Sequence, residues 1–130
     1  MKLYFAHPVT DYDTPFEALC RCALAAQFPD VLDPNGPEHD AAYRAEGWPY
    51  FDRLVETCQA VAFTRMPDGR ISAGVAKEVA SFFERGLPVY EIGRSDVAMK
   101  PLASMPVSSV MTIDETRAAI RSIRAAREAA

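Results

Sequence analysis

The sequence predicts an α/β fold around one mainly parallel sheet of four to five strands, on three observations. Short apolar runs at Leu3–Ala6, Val31–Leu32, Ala60–Thr64 and Leu87–Ile92 alternate with amphipathic stretches of helical period. Turn residues fill the joints, with 10 prolines in the 130 residues. The length suits a single domain, which at this size buries roughly two-thirds of its unfolded surface and needs no disulfide or metal to hold a core.

Taken in order, Leu3-Tyr4-Phe5-Ala6 reads as a buried first strand ended by His7-Pro8, with a loop at Val9–Thr14. Thr14 and Pro15 suit the N-cap and first position of a helix running to about Gln27, with Phe16, Leu19, Cys20, Ala23 and Leu24 on one face. Val31-Leu32 is a brief second strand, Asn35–Glu38 a turn, and His39–Glu46 a short helix stopped by Gly47. A further helix runs from Pro49 to about Cys58, and Ala60–Thr64 is the third strand. The polar loop Arg65–Ala73 contains the turn dipeptide Asp68-Gly69. Gly74–Arg85 is a helix closed by Gly86, and Leu87–Ile92 is the fourth strand. Gly93–Pro106 reads as loop and Val107–Met111 as a fifth strand. Thr112 and Glu115 form a capping box for a last helix reaching Glu128.

The charge balance narrows the partners. A net charge of −4 argues against a protein that coats nucleic acid polymers or an anionic membrane. No apolar run approaches the ~18 residues of a membrane span, and Met1–Phe5 enters a strand without a signal-peptide layout, so a cytoplasmic protein is expected. Cys20, Cys22 and Cys58 are an odd set and read as reduced thiols. His7 and His39 lie far from them in sequence without metal-ligand spacing, so neither a metal nor another cofactor is expected.

In a parallel sheet the ligand crevice lies beyond the carboxyl ends of the strands. The loops His7–Thr14, Asp33–Gly36 and Arg65–Ala73 belong there. Glu78 stands near the first turn of the helix that follows the third loop, roughly 40° outside the apolar arc of Val75, Ala76, Val79, Ala80, Phe82 and Phe83. A carboxylate at that border is partly desolvated and still faces the crevice, which suits a nucleophile or a general base. An acidic residue in a first helical turn also serves the dipole without any catalytic role.

Three ordered segments over about residues 1–92 resemble the nucleoside 2-deoxyribosyltransferase-like family, whose members cleave or exchange N-glycosidic bonds. They are Leu3-Tyr4-Phe5-Ala6-His7-Pro8, then Phe51–Leu54 through Gln59–Phe63, then Ser72–Glu78 with Gly86-Leu87-Pro88-Val89-Tyr90. The resemblance implies a single three-layer flavodoxin/Rossmann-like domain spanning residues 1–130. It implies Glu78 as the nucleophile, or as the residue that orients water in a pure hydrolase, Tyr4 fixing its carboxylate, and Asp52 holding a sugar hydroxyl or helping to protonate the departing base. Ala6, His7, Ser72 and Gly74 would line the substrate site, and Trp48 with Tyr50 would wall the base. The substrate would be a nucleoside or nucleoside 5′-monophosphate.

Two departures bear on activity. Ser72 and Val75 stand where the family has Asp and Thr, and His7 stands where it usually has Gly. Asp68 is a candidate to replace the missing acid, against its reading as a surface turn residue. A domain that senses a nucleotide or sugar phosphate without turnover is the alternative that Ser72 and Val75 favour. Arg117, Arg121, Arg124 and Arg127 form a stripe on the last helix, read as a solvated face, a subunit interface or a 5′-phosphate clamp reaching a neighbour's pocket. A backbone cradle at Ala73–Val75 with Ser72 is a second phosphate candidate. So short a chain leaves little to cover the crevice, so a homo-oligomer is expected.

Overall fold

A computed structural model describes residues 1–129. One five-stranded sheet runs β1 (Lys2–Ala6), β2 (Asp30–Leu32), β3 (Ala60–Phe63), β4 (Val89–Ile92) and β5 (Met99–Pro101). Its spatial order is β2-β1-β3-β4-β5. The first four strands are parallel and β5 pairs antiparallel with β4. The helices are α1 (Pro15–Gln27), α2 (Pro37–Glu46), α3 (Trp48–Glu56), α4 (Ala73–Glu84) and α5 (Ile113–Ala129). None of the described helices is long and apolar enough to cross a membrane.

Alternation along the strands sorts the core into two apolar clusters. Tyr4, Ala6, Val61 and Phe63 pack with Val75, Val79 and Phe82 of α4. Leu3, Phe5, Ala60 and Ala62 pack with Cys20 and Leu24 of α1. Burying the large side chains at about 25 cal/mol per Å² makes these contacts the main stabilising term. The register Leu3↔Ala60 through Ala6↔Phe63 sets the ends of β1 and β3 level. The chain order reverses between these two strands, and such a switch point opens a crevice at the carboxyl edge.

Local signals hold where chemistry fixes them. Thr14 Oγ1 accepts from the Glu17 amide at 3.3 Å, with Pro15 opening α1. The Thr112–Glu115 box closes at both bonds, 2.9 and 3.1 Å. Gly86 adopts φ 68° just past α4, a conformation that disfavours any side chain. All three cysteines are free thiols.

Two expectations are corrected. Val107–Met111 is not a strand: Val107–Ser109 forms a 3-10 turn and Val110 makes one isolated bridge to Ile71. The fifth strand is β5, folded back on β4 through a hairpin in which Val97 takes φ 54°. Its brevity and terminal Pro101 suit an edge, where a missing ladder donor is tolerated. On α1, Leu19 is 57% exposed, while Glu17 is buried. A polar network at the end of β1 takes the Glu17 side chain inward against its polarity.

Candidate functional site

A cavity of about 1010 Å³ opens at the carboxyl edge of β1 and β2. β1 and the segment after it supply Tyr4, His7 and Tyr12, α4 and its N-cap supply Ser72, Gly74 and Glu78, and α5 closes over them with Thr116, Ile120, Arg124 and Arg127. Two ion pairs brace the neighbouring loops. Arg94 forks onto Asp11 at 2.8 and 3.0 Å, and Arg65 meets Glu91 at 3.0 Å.

Tyr4 and Glu78 form the centre of the site. Tyr4 points to the α4 face of the sheet, fully buried, and its hydroxyl donates to Glu78 Oε2. Glu78 is half-buried at the edge of the apolar arc and lines the cavity, as its helical position predicts. Burial pushes its carboxyl up to about 8, the Tyr4 hydrogen bond and Lys77 pull it down, and the charge of Asp52 adds to the rise. Burial, then the facing Glu78 carboxylate, pushes the Tyr4 hydroxyl far up, so it stays protonated and serves as a donor.

Asp52 is held elsewhere. It is exposed on α3, pairs with Lys77 at 3.6 Å, and does not line the cavity. It acts on Glu78 only through its charge. Asp68 lies in an exposed turn, accepts from the Arg70 amide at 3.0 Å and pairs with the Arg70 guanidinium at 2.8 Å. It borders a second, shallower groove of about 450 Å³ between that loop and α5. Ala6 is buried in the core and does not line the cavity.

The start of α4 is already tied down. Ser72 Oγ accepts from the Val75 amide at 3.4 Å, and Thr116 Oγ1 of α5 accepts from the Ala73 amide at 2.9 Å. Two of the three amides proposed as a phosphate cradle are therefore spent within the fold, and Thr116 was not identified from the sequence. Trp48 lies against Gly74, where an added Cβ would meet Trp48 Cη2 at 2.9 Å, and the Lys77 ammonium sits 4.8 Å from its ring. Trp48 does wall the cavity, 41% exposed. Tyr50 instead turns to His39, with hydroxyl and ring nitrogen 2.5 Å apart.

His7 joins the cavity wall but is engaged from both ring nitrogens. Nδ1 faces the Phe5 carbonyl at 3.1 Å and Nε2 the Glu17 carboxylate at 2.6 Å, with the ring stacked on Phe5. Burial works against the Glu17 charge. Hydrogen bonds from His7, the Asp13 amide and Asn35 outweigh it and hold the carboxyl below its usual range. His7, Glu17 and Asp33 bring ligand-type atoms within 4.8 Å of one another. Arg21 binds Asp33 at 2.5 Å and Glu17 at 3.2 Å. A guanidinium already supplies the cation that a metal would, so these donors fit a hydrogen-bonded network rather than a metal centre.

Tyr12 also faces the cavity, and burial followed by the charge of Glu78 pushes its hydroxyl pKa up. Its position in the loop after β1 was the one signal available for it. Comparison with protein-family models gives no match to the chain, and neither curated proteins nor solved structures give a significant similarity.

Proposed function

We propose that the protein cleaves or exchanges the N-glycosidic bond of a nucleoside or nucleoside 5′-monophosphate, with Glu78 as nucleophile. The observation that carries this is the Tyr4–Glu78 pair in the wall of a cavity large enough to take a nucleotide. A carboxylate held by a phenol can stabilise charge developing at the anomeric carbon and then bond to it, releasing the base. Water or a second base completes the turnover, as hydrolysis or transfer. Trp48 offers a flat face for the base. The strand order supports reading the scaffold as a three-layer flavodoxin/Rossmann-like domain, in which ligands sit at the β1/β3 switch point.

A second reading is a nucleotide or sugar-phosphate sensor without turnover. The surface position of Asp52 favours it, since no second carboxylate of the predicted set stands in the cavity to protonate the leaving base. Incubating wild type and Glu78→Gln with a panel of nucleosides and 5′-monophosphates, and following free base by chromatography, separates the two. Base release by wild type alone supports the enzyme. Binding without release by either supports the sensor, and equal release by both removes Glu78 from the chemistry.

A further inference from the structure

We infer that Arg124 and Arg127 form an anion-recognising wall of the cavity in their own chain, and that they select a phosphomonoester, the 5′-phosphate of a nucleotide, over the unphosphorylated nucleoside. The nucleoside part of this statement rests on the reading above; the anion site does not.

The stripe of four arginines on α5 divides by geometry. At about 100° per residue, Thr116, Ile120, Arg124 and Arg127 fall within about 80° of arc, with Arg117 and Arg121 outside it. The same four residues line the cavity, and Arg117 and Arg121 do not. The helix dipole favours cations near this end of α5 but does not select a face, so it leaves the alignment with the cavity unexplained.

The two guanidiniums are also uncommitted among the described residues. Among the described residues neither Arg124 nor Arg127 forms an ion pair, whereas Arg21, the third arginine at the cavity, is held by Asp33 and Glu17. The competing anion locus is largely spent, because the Ala73 and Val75 amides of α4 are bonded to Thr116 and Ser72. The Thr116 bond fixes α5 against α4 and thereby sets where its later turns lie. Arg124 follows two turns on, about 12 Å along the axis. Paired arginines suit a phosphomonoester because their fixed forks of donors match its oxygens and its charge.

The test is calorimetric binding of four ligands: a nucleoside, its 5′-monophosphate, 2-deoxyribose 5-phosphate and inorganic phosphate. The proteins are wild type, the double variant Arg124→Ala/Arg127→Ala, and Arg117→Ala/Arg121→Ala as a control of equal charge change on the same helix. Wild type should bind the 5′-monophosphate more tightly than the nucleoside. The Arg124/Arg127 variant should weaken the monophosphate about 10- to 100-fold, the range for losing charge-assisted bonds, with the nucleoside little changed. The control should match wild type. Binding of 2-deoxyribose 5-phosphate or phosphate that follows Arg124 and Arg127, with no base released from any nucleotide, would uphold the anion site while the glycosidic reading fails. The proposal is overturned if wild type gains nothing from the phosphate, if the Arg124/Arg127 variant binds the monophosphate like wild type, or if the control loses as much.

Discussion

At the scale of single residues, the Tyr4–Glu78 pair sets the pH behaviour. With its carboxyl pushed up to about 8, Glu78 is mostly protonated at neutral pH and gains nucleophilic form as pH rises. The kcat/KM for base release should therefore climb about tenfold per unit below pH 8 and level off above it. In Tyr4→Phe the carboxylate loses a donor that favours its charged form. The limb should move about one to two units further alkaline, by the usual worth of a hydrogen bond to a charged group. A profile unmoved by Tyr4→Phe would count against the pair as the reacting centre. Glu78→Gln should lower base release by about a thousandfold or more, as expected for a lost nucleophile.

At the scale of elements, the packing of α3 on α4 depends on one missing side chain. Gly74→Ala would set a methyl 2.9 Å from the outer edge of the exposed Trp48 ring and should displace that ring, while the helix gain of Ala over Gly offsets the lost contact. Urea unfolding should place the variant within about 1 kcal/mol of wild type, with the Trp48 emission shifted. The elements that were legible from the sequence share a cause, namely local chemistry that allows one outcome. Thr14 caps and Pro15 opens α1, Thr112 and Glu115 satisfy each other's amides, and the short apolar runs of β1 and β3 are bounded by turn residues and bury in the sheet. What was not legible depends on partners distant in sequence. β5 is a strand only because β4 offers it an edge, since nothing in Met99–Pro101 is apolar enough to announce one. Glu17 goes inward only because His7 and Asn35 meet it there. In the site, Glu78 and Tyr4 were legible because position on helix and strand fixes their direction. The surface position of Asp52 was not legible because an exposed helical acid looks the same whichever way the crevice opens.

Across the whole molecule, two carboxylates titrate with opposite effect on stability. Glu78 has a raised folded pKa, so its contribution is full below its unfolded value, near 4.5, and is lost as pH rises toward 8. Glu17 has a lowered one, so its contribution is present above its unfolded value and is lost in acid. From these two groups stability against urea should peak at about pH 5, where Glu17 is ionised and Glu78 still neutral, and Glu78→Gln should flatten the decline from there toward pH 8; a decline equally steep in that variant would show that other groups cause it. The cavity itself gathers residues from positions 4 to 127, so its walls assemble only with the complete fold. The wall expected from a neighbouring copy is supplied in part by the chain's own α5. Trp48 carries one more consequence. It is the only indole in the sequence, and it rests at the cavity between Gly74 and the Lys77 ammonium. The protein thus holds a single optical reporter beside its own site: a ligand entering the cavity should alter the emission of that one ring, readable by titration without any label.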